Sequence, residues 1–210
     1  MKQLFLICLL VVCTVTFSQK KKGTSKKPSA KSVLAKVDNL TAEIITVNKQ
    51  KQLVLFVINE GVQDTLRLKI VDNANYTPLN FKITPFTASN VKLYHINWEE
   101  KNAVSTKLKK EEQDIVESQI WNVAKKELLI GNVQKSSHIV ETVFLDKNKT
   151  ASETQERNRK EGFEFILLPN GDLILKNKTQ QNTYAYNVAS DKYEMKKGSV
   201  SKTTSSRKKR

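Results

Sequence analysis

The sequence predicts an all-β protein, an antiparallel meander of about ten strands that is closed as a barrel or folded as a sandwich. Apolar and polar residues alternate in several short runs, an Asn-Gly pair separates two of these runs, and most links between runs are short. Alternation with a period of two indicates a strand with one buried face. Asn-Gly between two such runs is a strong signal of a tight hairpin.

The first predicted strands lie between residues 44 and 83. Ile44 to Val47 and Leu53 to Ile58 are joined by the polar link NKQKQ. LVLFVI at Leu53 to Ile58 is apolar on both faces, so we expect a central strand that is covered on two sides. Two further stripes have a period of two: Leu66, Leu68 and Ile70, then Leu79, Phe81 and Ile83.

The later strands are predicted by the same pattern. Phe163, Phe165 and Leu167 share one face, and Asn170-Gly171 links FEFILL to LILK. We also prefer a strand between residues 109 and 123, although Val116, Ile120 and Val123 would suit a helical stripe as well.

One short surface helix is predicted between Thr150 and Gly162. Thr150 and Glu153 have the spacing of a capping box, acidic residues come early, basic residues come late, and Gly162 follows as a stop. Almost all the intervening residues are polar, so this helix should lie on the surface rather than in the core.

Residues 1–18 predict a signal for export. The stretch from Leu4 to Val15 is apolar, one lysine precedes it, and it closes on the small residue Ser18, which is the three-part pattern of a secretory signal. A bilayer span needs about 20 apolar residues, so we expect cleavage near Ser18 and no transmembrane segment in the mature chain; an uncleaved anchor is the alternative. The ending Thr16 to Gln19 resembles export signals common in the Bacteroidota, which implies a bacterial protein that is periplasmic or secreted.

The net charge of +15 lies entirely outside the predicted β-domain, Val37 to Met195, which contains 21 basic and 21 acidic residues. The flanking segments, residues 19–36 and 196–210, are rich in Lys, Ser and Thr and predict disordered basic tails. Such tails either keep the chain soluble or contact an anionic polymer. The candidate polyanion contacts are Lys20, Lys21, Lys22, Lys26, Lys27, Arg207, Lys208, Lys209 and Arg210.

The inventory of reactive residues is small. Both cysteines, Cys8 and Cys13, lie in the predicted signal, so the mature chain would contain no thiol and no disulfide. The two histidines, His95 and His138, would have to meet a carboxylate such as Glu141 to supply three zinc ligands, and isolated histidines are more often structural or exposed. Glycines are not clustered into a phosphate-binding loop, and hydrolase nucleophile motifs are absent. We therefore predict no cofactor and no metal.

Two groups of residues remain as candidates for a site. Glu99-Glu100 and Glu111-Glu112 are paired in sequence, but neighbours on a strand point to opposite faces, so a catalytic pair would need carboxylates from different strands. Charged hairpin ends are the commoner explanation. Tyr94 and Trp98 share one strand face with Ile96, which predicts either a ligand platform for carbohydrate or lipid, or part of the core.

These observations predict an exported, non-catalytic β-domain that binds a small ligand or a cell-envelope partner. Two alternatives stay open: a secreted hydrolase with a dispersed carboxylate site, and polyanion binding through the basic tails. A cavity lined by two inward carboxylates from different strands would favour the hydrolase. An apolar cavity, or none, would favour binding.

Overall fold

The structure, a computed structural model, describes residues 33–71 and 76–196, and every regular element in this part of the chain is a β-strand. The all-β prediction is therefore confirmed, with more strands than the sequence patterns indicate. The thirteen strands are β1 (Val33–Val37), β2 (Leu40–Val47), β3 (Gln50–Asn59), β4 (Val62–Val71), β5 (Leu79–Ala88), β6 (Val91–Ser105), β7 (Lys109–Asn122), β8 (Glu127–Phe144), β9 (Ser152–Gly162), β10 (Glu164–Leu167), β11 (Leu173–Lys176), β12 (Gln181–Asn187) and β13 (Lys192–Met195).

The strands form three antiparallel meanders, in which each strand pairs with the next one along the chain. The first sheet contains β1 to β4, the second contains β5 to β9, and the third contains β10 to β13. The described strands leave all three sheets open, so the predicted barrel is wrong and the sheets pack as layers. These layers belong to one compact unit.

The second sheet lies between the other two because its strand β6 has apolar side chains on both faces. Ile96 and Trp98 are fully buried and join a core cluster with Leu55 of the first sheet. Leu93, on the opposite face of β6, packs in a second cluster with Leu173 of the third sheet. Each cluster collects the residues that alternate along its strands, as the period of two predicts.

A β-bulge interrupts the alternation predicted for β4. Leu68 is buried as expected, but Ile70 is 43% exposed and Val71 is buried. The register of the β3–β4 pair shifts at this point, so that Leu68 is an extra residue without a partner of its own. Because a bulge changes the direction of the side chains that follow it, Lys69 turns toward the second sheet.

Turns with positive φ join the strands. Asn48 and Lys49 have φ values of 51° and 67° and connect β2 to β3 in two residues. The predicted hairpin between β10 and β11 is confirmed, with φ 83° at Gly171. A Cβ atom on Gly171 would lie 2.6 Å from the Cβ atom of Ala88, so this turn packs against β5 only because the residue is glycine.

The helix predicted between Thr150 and Gly162 is wrong, because residues 152–162 form β9 and pair with β8 along their whole length. The backbone N–H groups of Thr150 and Ala151 donate to Oδ1 of Asp146 at 2.9 Å, so a turn rather than a helix cap uses them. Nearly all residues of β9 are exposed, as expected of an edge strand with few neighbours. A uniformly polar pattern fits such a strand as well as a surface helix. The strand preferred between residues 109 and 123 is confirmed as β7.

Described structure continues on both sides of residues 37–195. β1 begins at Val33, inside the segment 19–36. Lys196 lies in the segment 196–210, and its backbone N–H donates to the backbone carbonyl oxygen of Thr183 at 2.8 Å. Its Nζ lies 2.5 Å from Oδ2 of Asp172. The predicted signal, both cysteines and all the candidate polyanion contacts lie outside the described residues. Within the described ranges, no helix could span a bilayer.

Candidate functional site

A cleft of about 490 Å³ lies at the link between β9 and β10, where the chain passes from the second sheet to the third. This volume is within the range of small-molecule sites in proteins. Residues from two sheets line it: Gln134 of β8, Lys160 and Gly162 of β9, Glu164 of β10, Lys176 of β11, and Asn177, Lys178 and Thr179 of the turn that follows β11. No apolar side chain is among them.

Gly162 fixes the wall of the cleft on the side of the second sheet. Its φ is 79°, and an added Cβ atom would lie 2.1 Å from the carbonyl oxygen of Val133, so no other residue fits without a backbone shift. Nδ2 of Asn132 donates to the carbonyl oxygen of Phe163 at 2.9 Å and holds the next residue of the link in place. The path between the two sheets is therefore closely defined.

A hydrogen-bonded turn forms the opposite wall. Oδ1 of Asn177 accepts hydrogen bonds from the backbone N–H groups of Thr179 and Gln180, both at 2.9 Å, and from Oγ1 of Thr179 at 3.0 Å. The backbone N–H of Asn177 also donates to the backbone carbonyl oxygen of Gln180 at 2.9 Å. An Asn side chain that bonds its own turn in this way stabilises it. Lys178 lies between Asn177 and Thr179, the two residues that these hydrogen bonds join.

The charges that line the cleft are mostly positive. Three lysines face one carboxylate, Glu164. Nζ of Lys176 lies 3.5 Å from Oε2 of Glu164, its cross-strand partner, so these two charges offset each other. Lys160 and Lys178 have no ion-pair partner within the described ranges, and they give the cleft an excess of two positive charges.

A second group of charged residues is buried between the first and second sheets. Nζ of Lys69 lies 2.6 Å from Oε1 of Glu100 and also contacts Oε1 of Glu117. The hydroxyl of Tyr76 and Nε1 of Trp98 donate to the same oxygen of Glu100, each at 2.8 Å. We refer to these five residues as the Lys69 cluster.

The surroundings of the cluster change its pKa values in different directions. Burial raises the pKa of Glu100, but the hydrogen bonds from Lys69, Trp98 and Tyr76 outweigh it, and the net pKa is lowered. Burial raises the pKa of Glu117, and its contact with Lys69 offsets this only in part. For Lys69, burial lowers the pKa, but the hydrogen bonds to Glu100 and Glu117 raise it overall. Lys69 therefore stays charged and chiefly balances Glu100.

The polar groups of the Lys69 cluster mainly contact one another. Glu100 and Glu117 come from different strands and face the same side, which is the arrangement a dispersed hydrolase site would require. However, Lys69 lies between them, and neither carboxylate lines the cleft or the smaller pocket described below. Buried charges that are paired and hydrogen-bonded are costly to separate, so the cluster fixes the packing of β4 on β6 and β7.

The predicted platform residues lie in the core. Trp98 has no exposed surface and stacks on Phe81 with ring centroids 5.9 Å apart. Tyr94 is 6% exposed, donates its hydroxyl to Oδ2 of Asp38 at 3.0 Å, and lines a smaller pocket of about 170 Å³ together with Lys92. The two residues share a face as predicted, but the structure does not present them together as an exposed surface.

The remaining candidate residues are separated from one another. His95 stacks on Phe165 with centroids 4.8 Å apart, whereas Nδ1 of His138 lies 3.1 Å from Oδ1 of Asn158 on the edge of the second sheet. Glu141 pairs with an arginine of β9 at 3.0 Å. In residues 33–71 and 76–196, no group of three His, Cys, Asp or Glu residues is placed to hold a metal ion.

Sequence reasoning did not identify the cleft. Its residues come from four strands and one turn, and each looks like an ordinary exposed polar residue within its own segment. Lys160 falls within the helix predicted between Thr150 and Gly162, and a helix there gives no reason to expect it beside the turn at Lys178. The sequence offers one weak signal, the polar turn from Lys176 to Thr179 with its two lysines. Such turns are common on protein surfaces.

Comparisons with protein family models, with curated proteins and with solved structures find no match for this chain.

Proposed function

We propose that this chain is an exported, non-catalytic β-protein that binds a small polar ligand in the cleft at the β9–β10 link. The observation that supports this most directly is the cleft itself, about 490 Å³ in volume and lined by polar side chains from two sheets. Small-molecule sites are concave and contain a few polar groups on a rigid framework. Here the framework is supplied by Gly162 and the bonded turn at Asn177.

The cleft is neither the cavity with two inward carboxylates expected of a hydrolase nor a cavity with an apolar lining. Its lining residues are glycine or residues with polar or charged side chains, which favours a hydrophilic ligand over a lipid. It contains one carboxylate, Glu164, which is already paired with Lys176. Glycoside hydrolysis requires two carboxylates that face each other across the substrate, so these contacts favour binding over the alternative of a secreted hydrolase.

Binding is tested by thermal unfolding of the mature chain with a panel of monosaccharides, disaccharides, amino acids and their phosphorylated or sulfated forms. A compound that binds the folded state raises the melting temperature, and the rise grows with its concentration. The matched variant is Thr179→Trp, which fills the cleft from an exposed turn position. We expect at least one compound to shift the wild type and not the variant. Equal shifts in both proteins, or none with any compound, would refute a ligand site in this cleft.

Export is supported by the signal pattern of residues 1–18, which lie outside the described residues. Mass spectrometry of periplasmic or secreted material should find a chain that begins near Gln19. An intact N-terminus on membrane-embedded protein would contradict export with cleavage.

A further inference from the structure

We infer that the cleft recognises an oxyanion, a sulfate or phosphate group carried on a small sugar, and that Lys160 and Lys178 hold this group between the second and third sheets. The inference rests on the proposed function and specifies the ligand for the same cleft. It depends on the charge of the cleft, on the separate origins of the two lysines, and on the uncharged groups between them.

The cleft has an excess of positive charge although residues 37–195 are neutral as a whole. These residues contain equal numbers of basic and acidic residues, and nine lysines of the described ranges have an acidic partner. Lys160 and Lys178 line the same cavity and have no such partner in the described part of the chain. An anion in the cleft would offset the excess of positive charge that these two lysines bring to it.

The two lysines approach the cleft from different sheets. Lys160 lies on β9, two residues before Gly162, and its position is fixed by pairing with Ser136 of β8. Lys178 lies at the tip of the bonded turn after β11. One oxyanion between them would contact both walls, so its binding would couple the edge of the second sheet to the third sheet.

The uncharged residues suit the rest of such a ligand. The amide group of Gln134 and Nδ2 of Asn177 can donate to oxyanion or sugar oxygens. The hydroxyl hydrogen of Thr179 is already donated to Asn177, so Oγ1 of Thr179 would accept a hydrogen bond from a sugar hydroxyl. The pair Lys176–Glu164 already satisfies its own charges. It would therefore contact the ligand as a neutral polar surface and leave the net attraction to the other two lysines.

The test measures binding of a sulfated disaccharide, a phosphorylated disaccharide and the unmodified disaccharide to the mature chain by calorimetry in low salt. We expect one of the two anionic forms to bind at least about tenfold tighter than the neutral one, and to lose about tenfold in each of Lys160→Ala and Lys178→Ala. Lys107→Ala, an exposed lysine in the turn between β6 and β7, is the matched control and should bind as the wild type does. The basic tails are present in every variant, so the loss in each lysine variant is measured against the same contribution from the tails.

The outcomes separate this inference from the proposed function. If all three disaccharides bind equally and Thr179→Trp removes the binding, the cleft is a ligand site but the anion inference is wrong. If the anionic forms bind Lys160→Ala, Lys178→Ala and Thr179→Trp as they bind the wild type, the anion contacts lie elsewhere and the inference is also wrong. Preferential anion binding that the two lysine variants lose and Lys107→Ala keeps would establish it. Comparing the sulfated with the phosphorylated form then identifies which group is recognised.

Discussion

His95 is packed between the second and third sheets, where a charged imidazolium would be poorly solvated. Its ring stacks on Phe165, and Nε2 is buried without a hydrogen-bond partner among the described residues. Burial lowers the pKa of His95 to about 4. In the unfolded chain an exposed histidine titrates near its ordinary pKa of about 6.5.

This difference predicts how stability depends on pH. As pH falls below about 6.5, the unfolded chain gains a proton at His95 that the folded chain does not accept until about pH 4. The folded state should therefore lose about 3 kcal/mol of stability from this residue across that window. His95→Phe keeps an aromatic ring against Phe165 and removes the titration. Urea unfolding of both proteins at pH 7, 5.5 and 4 measures the effect, and parallel pH profiles for the two would contradict it.

Lys69 supplies the positive charge that two buried carboxylates require. In Lys69→Met, Glu100 and Glu117 would remain buried without it, and removing one partner of a buried pair costs about 3 kcal/mol or more. We therefore expect a clear fall in the urea midpoint with an unchanged m-value. Arg67→Met, at an exposed position of the same strand, is the matched control and should change stability by less than about 0.5 kcal/mol. A change in Lys69→Met of less than about 0.5 kcal/mol, as small as that of the control, would show that the cluster adds nothing to stability.

Among the structural elements, strands with one buried face were predictable and the deviations from them were not. Phe163, Phe165 and Leu167 alternate without interruption, and all three pack in the second core cluster. In β4 the pattern fails after Leu68, because a bulge depends on tertiary pairing and has no local sequence signal. This bulge directs Lys69 inward, so the buried cluster could not be identified from spacing alone.

The β9 strand shows a different limit. Its residues are polar on both faces, so periodicity does not distinguish strand from helix, and the capping-box spacing then favours the wrong element. Before β9 the chain makes a turn at Asp146. Oδ1 of Asp146 accepts hydrogen bonds from the backbone N–H groups of Thr150 and Ala151, and the chain then pairs with β8. Lys160 lies in this strand, so its place in the cleft could not be predicted either.

Gly162 joins β9 to β10, and its replacement should damage both the fold and the cleft. In Gly162→Ala the new Cβ atom meets the carbonyl oxygen of Val133, in addition to the strain of an alanine at positive φ. Gly61→Ala is a matched control, because Gly61 has a similar φ of 82° and no atom within 4 Å of the new Cβ position. The control should lose about 1–2 kcal/mol from backbone strain alone. We expect Gly162→Ala to lose more in urea unfolding; an equal or smaller loss would mean that the link can move without cost.

At the scale of the whole molecule, the sequence indicates which faces are buried but not what covers them. Alternation in β6 places Leu93 on one face and Ile96 on the other, and both faces prove to be covered by separate sheets. Either a barrel or a sandwich satisfies the same alternation. The choice of three open layers depends on where the chain leaves each sheet, as at Gly162, and on contacts far apart in sequence.

The distribution of charge gives the last prediction, which concerns the third functional alternative, polyanion binding through the basic tails. Because β1 begins at Val33 and Lys196 bonds to the domain, the deletion that preserves the fold removes residues 19–31 and 197–210. It takes away twelve positive charges and leaves the described strands intact. If the tails bind polyanions, the mature chain should bind a duplex DNA fragment in 50 mM salt and weaken by about a hundredfold or more by 200 mM, because counterions compete for the phosphates.

The trimmed protein should retain its melting temperature and bind the DNA hardly at all. A pair of salt titrations, one for each protein, measures both effects. Equal binding by the two proteins would place the recognition on the domain itself, where the unpaired lysines of the cleft are the first residues to replace. Absence of binding by either protein at 50 mM salt would exclude the tails as a polyanion site and leave them the role of keeping a neutral domain soluble.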